Sequence, residues 1–183
     1  ELRAQPCLIP ADHLLANVNG VMNAILVHGD AVGPTLHYGA GAGANPTASS
    51  VVADIVDVVR TLTTDPENRV PHLAFQPGQL SRKKISSYED IQTAYYLRLL
   101  ALDRPGVLAD IARILGEHNI SIDSIRQKGT STSDEPVSIV ILTHQTIESR
   151  ILQAIPELEN LETIRERIVR IRIETMDDKA QRS

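Results

Sequence analysis

The spacing of apolar positions divides the 183-residue chain into two structured regions with an irregular segment between them. In the first region, residues 23–28 and 35–38 have the length and composition of short strands, separated by a turn. Residues 47–62 repeat apolar side chains every three or four positions, which predicts an amphipathic helix. We expect Asn45 to cap this helix and Pro46 to occupy its first position.

The last region alternates strand and helix patterns in the order βαββαβ. Its predicted elements are a strand at residues 95–102, a helix from residue 107, strands at 120–125 and 137–142, a helix capped by Thr146 and a strand at 169–174. In the last strand we assign Arg170 and Arg172 to the solvent-exposed face, and a contact between subunits is the alternative. The order predicts a ferredoxin-like α+β fold, in which two helices cover one face of a four-stranded antiparallel sheet.

The segment at residues 63–87 separates these regions. It contains several prolines and the basic run Arg82-Lys83-Lys84, which we interpret as solvated surface. We therefore expect an irregular connection and a domain boundary here.

Charge and composition exclude several classes of protein. Lys plus Arg number 18 and Asp plus Glu number 23, and the resulting net charge of −5 argues against a nucleic-acid partner. No apolar stretch approaches the length of a membrane helix, and the first residues show no signal-peptide pattern. A single cysteine, Cys7, fits a cytoplasmic location. The six histidines lack the spacing of a helical metal site, so we expect no bound metal.

The turn between the first strand and first helix of the βαββαβ region has the sequence Asp-Arg-Pro-Gly-Val-Leu, at residues 103–108. Its glycine permits a close approach of the backbone, and the helix start exposes N–H groups that suit an amino-acid carboxylate. A plain strand-to-helix turn is the other interpretation. Together with residues 95–99 and 118–122, this segment resembles the ACT domain, a regulatory module that senses small molecules.

The first region carries a second resemblance. Residues 21–25 and 38–54, with the run Gly-Ala-Gly-Ala-Gly-Ala before Asn-Pro-Thr, resemble the end of the catalytic domain of homoserine dehydrogenase. Bacterial members of that family often append an ACT domain in the order found here. The resemblance implies that Gly43 lies against an NAD or NADP cofactor, and close packing of a helix on a strand is the alternative role of the small residues. The chain thus resembles the C-terminal portion of the family.

The same resemblance limits what this chain does alone. The family's Gly-x-Gly-x-x-Gly turn, which binds the cofactor pyrophosphate, has no match here, and the family's catalytic lysines and substrate carboxylates match no residue. We therefore expect no catalytic residue and no tight cofactor binding by this chain alone. The alternative function is a stand-alone ACT-type module that binds an amino acid and catalyses nothing. Another enzyme with an ACT domain is a further alternative, which the residues at 38–54 disfavour.

For the intact parent, the resemblance implies NAD(P)-dependent interconversion of L-homoserine and L-aspartate 4-semialdehyde. Threonine is the implied effector because it is a product of the pathway. We expect residues 1–88 to be the end of an α/β catalytic domain with its connector, residues 89–176 to be the ACT domain and residues 177–183 to be a tail.

The predicted effector site lies across a homodimer that forms through ACT sheet edges and the catalytic-domain tail. Its residues are Asp103, Gly106 and Val107 at the turn, and Asn119 and Ser121 of a second copy. Asp103 would pair with the effector's ammonium group, and the alternative is that it only caps the helix.

Overall fold

The computed structural model describes residues 1–63, 77–129 and 136–175. The elements used below are β1 (Cys7–Leu8), β2 (Met22–Gly29), β3 (Gly33–Ala40), α1 (Ala44–Leu62), β4 (Gln92–Leu102), α2 (Val107–Glu117), β5 (Ile122–Lys128), β6 (Pro136–Thr143), β7 (Thr146–Ile147), α3 (Glu148–Glu159) and β8 (Val169–Ile173). The chain forms two compact units. We call residues 1–10 with 84–183 the sheet unit and residues 11–83 the hairpin–helix unit.

The hairpin–helix unit begins with the two predicted strands. β2 and β3 pair antiparallel, from Met22 opposite Ala40 to Gly29 opposite Gly33. The helix that follows starts at Ala44, three residues before the predicted position, and Gly43 rather than Asn45 is its N-terminal cap residue. Gly43 has φ of 122°, a conformation that glycine adopts without a Cβ penalty, so the chain can turn into the helix early.

The sheet unit has the predicted ferredoxin-like arrangement, with strand order β1-β8-β4-β6-β5. β4 pairs antiparallel with both β6 and β8, and β6 also pairs antiparallel with β5, so β6 is an inner strand. Helices α2 and α3 contribute their apolar residues to the same core as β4 and β6. Its fully buried side chains include Tyr95, Leu97, Leu99, Ile111, Leu115, Ile139, Ile141, Ile151 and Leu158.

Two short strands extend this fold beyond the prediction. β7 pairs with the start of β4, and β1 pairs parallel with β8, with Cys7 opposite Arg172 and Leu8 opposite Ile173. Residues 1–10 thus add a short strand beside β8 to the sheet that contains the predicted ACT domain. The predicted division at residue 88 remains a prediction, and the compact units divide the chain at residues 10/11 and 83/84.

Three further local predictions, all in the sheet unit, are wrong. Thr146 does not cap α3, because it lies buried in β7 and the cap residue is Ile147. β5 starts at Ile122, two residues late, because Asn119 adopts a left-handed φ of 55° and Ile120 turns into the core.

The third error concerns the direction of the arginines in β8. Arg172 is only 4% exposed, and Arg170 is half-buried, whereas Val169 is exposed. The arginines therefore face the helix side of the sheet, opposite to the predicted orientation. They do so because a buried carboxylate on α3 binds both guanidinium groups.

Part of the chain lies outside the described residues. This applies to residues 64–76 of the predicted connection, to residues 130–135 and to the whole of the predicted tail at residues 177–183. Across the described ranges, no helix is long and apolar enough to cross a membrane. The same ranges contain no group of His, Cys, Asp or Glu side chains that could hold a metal ion.

Candidate effector site and a buried charge cluster

The start of α2 brings together the first half of the predicted effector site. Gly106 is the cap residue, with φ of 95°, and no side chain caps the helix there. The amides of Leu108 and Ala109 have no acceptor within an α-helix at these positions. Asp103 does not cap the helix, because its Oδ1 accepts a hydrogen bond of 3.0 Å from Gln127 Nε2 on β5. An exposed carboxylate therefore lies in the turn that leads to a helix start.

Val107 offers its backbone, and not its side chain, to this turn. Its side chain is buried in the core, and its N–H donates to the carbonyl oxygen of Arg104 at 3.3 Å. A ligand at this position would therefore contact backbone rather than the Val107 side chain. Asp110, a second carboxylate, lies in the first turn of α2 and stabilises the helix through its dipole.

The second half of the predicted site lies at the other end of α2. Asn119 lies two residues past the end of α2 in a left-handed conformation, and its N–H donates to the Gly116 carbonyl oxygen at 2.9 Å. Its own carbonyl oxygen accepts from Arg150 Nη1 at 3.3 Å, and that of Ser121 accepts from the His144 N–H at 2.9 Å. These hydrogen bonds of Asn119 and Ser121 are therefore made by their backbone atoms.

The two halves do not meet within one chain. α2 has eleven residues, which separates its ends by about 16 Å at 1.5 Å per residue. A free amino acid is too small to bridge that distance. A single copy of the chain therefore presents the turn at Asp103 without Asn119 or Ser121 beside it.

Gly43 lies at the start of α1, a helix of nineteen residues. The helix has no side-chain cap and no acidic residue in its first turn, so its N-terminal amides are available to an electron-rich ligand group. A Cβ added to Gly43 would meet Pro46 Cδ at 3.4 Å, and the positive φ would strain any side chain there. These residues fit a close contact with a dinucleotide cofactor.

A buried charge cluster in the sheet unit was not predicted. Glu148 is fully buried in the first turn of α3, and its carboxylate binds two arginines and two tyrosines. Oε1 accepts from Tyr88 Oη at 2.8 Å and from Arg170 Nη1 at 2.5 Å. Oε2 accepts from Tyr95 Oη and from Arg172 Nη2. Burial and the adjacent Glu148 carboxylate raise the pKa of Tyr95, so its hydroxyl stays protonated and donates.

The cluster extends to the N-terminal segment. Arg172 Nη1 also binds Glu1 Oε1 at 3.2 Å, and Glu1 forms an ion pair with Arg3. The guanidinium groups of Arg3 and Arg172 lie 5.2 and 5.1 Å from the centre of the Tyr88 ring, within the range of a cation–π interaction. We call these seven residues together the charge cluster: Glu1, Arg3, Tyr88, Tyr95, Glu148, Arg170 and Arg172.

One signal in the sequence could have revealed the cluster. Glu148 lies three, six and ten positions before Ile151, Ala154 and Leu158, so it occupies the apolar face of α3. A glutamate at such a position needs cationic partners in the folded protein. β8 offers two arginines two positions apart, on one face of the strand.

Comparison with known proteins indicates which family the chain resembles. The model of the homoserine dehydrogenase family matches residues 1–56, and the model of the ACT domain matches residues 95–163. Homoserine dehydrogenase of Pseudomonas aeruginosa is 59% identical over 177 residues, which are 97% of this chain and 41% of that protein. The enzyme of Neisseria gonorrhoeae is 51% identical over 97% of this chain and 41% of its own length.

A solved structure shows the same similarity. The crystal structure of a homoserine dehydrogenase from Thiobacillus denitrificans matches with a TM-score of 0.82 and 56% identity, over 94% of this chain and 38% of that one. The chain is therefore similar to homoserine dehydrogenases over nearly its whole length. It corresponds to the C-terminal region with its ACT domain, which confirms the predicted resemblance, and it spans about two-fifths of the length of the relatives it matches.

Proposed function

We propose that this chain is the regulatory end of an enzyme that interconverts L-homoserine and L-aspartate 4-semialdehyde with NAD or NADP. The names of the relatives and the two family matches support this activity for the whole protein. Within this chain, the ACT domain binds an amino acid, for which we propose threonine. The observation that carries the proposal is the exposed Asp103 carboxylate beside the uncapped start of α2.

The chemistry of this turn suits a zwitterion. An amino acid's carboxylate would accept hydrogen bonds from the free amides at the start of α2, where the helix dipole favours negative charge. Its ammonium group would pair with the Asp103 carboxylate. Gly106 leaves the approach open, because a Cβ added there would have no heavy atom within 4 Å.

A second copy of the chain would complete the site. The edge at β8 is partly covered by β1, whereas β5 forms the other edge of the sheet. An uncovered edge strand presents N–H and C=O groups that a second strand can pair with. We therefore propose a homodimer in which two β5 strands face each other, so that Asn119 and Ser121 of one copy approach Asp103 of the other.

The proposed cofactor contact is Gly43, with no side chain between the backbone and the ligand. NAD or NADP would supply the hydride chemistry, while the start of α1 would contribute backbone amides and space. The acid–base residues of the reaction would come from the part of the enzyme that this chain does not cover. For the whole protein we propose a cytoplasmic location, which suits an enzyme whose one cysteine in this chain is a free thiol.

Titration calorimetry of the 183-residue chain with threonine tests the effector site. We expect wild-type chain to bind, and Asp103→Ala to weaken binding by about tenfold, because an ion pair with the ammonium group is lost. Lack of binding by threonine and by every other proteinogenic amino acid at millimolar concentration would refute the sensing role.

Gln127→Ala is the matched control. It removes the same internal hydrogen bond but keeps the Asp103 carboxylate. We expect threonine affinity to stay within about twofold of wild type, since the site keeps its charge. Equal losses in Asp103→Ala and Gln127→Ala would show that the pair only shapes the turn. Asp103→Asn, which keeps an acceptor for Gln127 but removes the charge, should behave like Asp103→Ala.

A further inference from the structure

The charge cluster takes side chains from both segments of the sheet unit that flank the hairpin–helix unit in the sequence. The chain leaves the sheet unit after Pro10 and returns at Lys84, with the whole hairpin–helix unit between these two points. On the outgoing side, β1 ends at Leu8, two residues before the crossing. On the returning side, Tyr88 lies four residues after the crossing. Both crossing segments contribute side chains to the cluster.

Charged side chains hold the outgoing segment, residues 1–10, on the rest of the sheet unit. Arg172 of β8 binds Glu1, and Glu1 pairs in turn with Arg3, a residue of the same segment. β1 adds backbone bonds to β8, including one of 2.8 Å from the Glu174 N–H to the Leu8 carbonyl oxygen. Arg172 is almost fully buried and the Glu1 side chain is 34% exposed, so the contact is shielded from bulk water on the Arg172 side.

The Glu148 carboxylate, which binds Arg172, also holds the returning segment, which begins at Lys84. The Tyr88 hydroxyl donates to Glu148, and the Glu148 N–H donates to the Ile91 carbonyl oxygen at 2.8 Å. The Tyr88 ring also lies close to the guanidinium groups of Arg3 and Arg172, at about 5 Å from each. Tyr88 therefore contacts both Glu148 in the sheet unit and Arg3 in the outgoing segment.

We infer that the charge cluster holds the outgoing segment and the returning segment on the sheet unit cooperatively, so that loosening one segment loosens the other. We call the cluster in this role the joint. The joint also offers a route for regulation, and this part rests on the proposed function. β4 carries Tyr95 of the cluster near its start and ends directly before Asp103, the proposed effector residue. A shift of β4 on effector binding would therefore reach both segments that lead to the hairpin–helix unit.

Amide hydrogen exchange on the 183-residue chain tests whether the two segments are joined. The Glu174 N–H reports docking of the outgoing segment, and the Glu148 N–H reports docking of the returning segment. Tyr88→Phe alters the returning segment, and we expect it to speed exchange at Glu174 by about tenfold. Arg3→Met alters the outgoing segment, and we expect it to speed exchange at Glu148 by a similar factor.

Arg113→Met is the control, because it breaks an exposed ion pair with Glu117 on α2, away from the cluster. It should leave exchange at both reporters unchanged. If Tyr88→Phe and Arg3→Met each act only on their own segment, the joint is refuted. Two substitutions from opposite sides keep the test valid even if one of them prevents folding.

The regulatory part has its own readout in the full-length enzyme that contains this chain. We expect Tyr88→Phe to bind threonine with wild-type affinity by calorimetry but to lose most of the inhibition by threonine in a homoserine assay. Inhibition equal to that of wild type would refute transmission through the joint. A wild-type enzyme that binds no threonine would instead refute the proposed effector, and the exchange experiment would still decide whether the joint exists.

Discussion

Glu148 shows how a single buried charge can determine which side chains of a strand face the core. The sequence Val-Arg-Ile-Arg-Ile of β8 predicts that its arginines face solvent, since isolated arginines are rarely buried. The opposite is found because Glu148 needs cationic partners on the helix side of the sheet. Removing one partner of such a buried pair costs about 3–5 kcal/mol, because the other charge stays buried without compensation. The alternation within β8 does not contain that information, which lies more than twenty positions earlier in the chain.

At the residue scale, Gly43 allows a test of the proposed cofactor contact. In the full-length enzyme, we expect Gly43→Ala to lower the free energy of unfolding by about 1–3 kcal/mol, because alanine at φ of 122° is strained. We also expect the KM for the cofactor to rise about tenfold, since a Cβ would occupy space beside the ligand. Urea unfolding and steady-state kinetics measure the two effects separately.

Gly39→Ala is the control for this substitution. Gly39 belongs to the same run of small residues and lies in β3, and a Cβ there would meet no heavy atom within 4 Å. Stability and cofactor KM should both stay close to wild type. If Gly43→Ala lowers stability but leaves the cofactor KM unchanged, the small residues serve packing and turn geometry alone.

At the scale of elements, the sequence predicts the order of helices and strands better than the helix ends and the pairing at the sheet edge. The βαββαβ order follows from local periodicity, and the turn at residues 103–106 is where the pattern places it. β1 has only two residues, and its partner β8 lies more than 160 positions away, so no local pattern could reveal the pairing. The cap of α1 was missed for another reason, because Asn45 is a good capping residue but Gly43 is the one that accepts a positive φ.

The predicted dimer can be tested at the two edges of the sheet. Ile125 on β5 is 43% exposed, and Val169 on β8 is 36% exposed, so the two strands offer exposed apolar side chains of similar kind for comparison. We expect Ile125→Lys to weaken dimerisation about tenfold, because a lysine on an edge strand opposes pairing with a second strand. Sedimentation equilibrium would show the shift toward a monomer of 20.0 kDa.

Val169→Lys introduces the same charge at the opposite edge. It should leave the dimer intact, because β1 already covers part of that edge. A wild-type chain that is monomeric at micromolar concentration would contradict the dimer itself. A dimer that is lost in Val169→Lys but kept in Ile125→Lys would place the contact at β8 and would separate Asp103 from Asn119 of the second copy.

At the scale of the whole molecule, the apolar face of α1 is the clearest sign of a larger assembly. Its predicted apolar positions are present, yet their side chains are 51–58% exposed. They are Val51, Val52, Ile55, Val58 and Val59. Most of the stability of a helix comes from packing an amphipathic face, so these side chains need a cover. The relatives contain much more chain than is matched here, which offers a source for it.

The proposed separation of sensing from catalysis predicts that the 183-residue chain does not catalyse the homoserine reaction alone. Its sequence contains no Gly-x-Gly-x-x-Gly turn to hold a cofactor pyrophosphate, and Gly43 would contact only one side of a dinucleotide. We expect no homoserine-dependent reduction of NAD or NADP by the purified chain, measured by absorbance, with the full-length Pseudomonas aeruginosa relative as positive control. The same preparation should still bind threonine, because the α2 turn and β5 are present. Homoserine-dependent turnover by the chain alone would contradict this separation of catalysis from sensing, since cofactor and substrate would then both be held by residues present here.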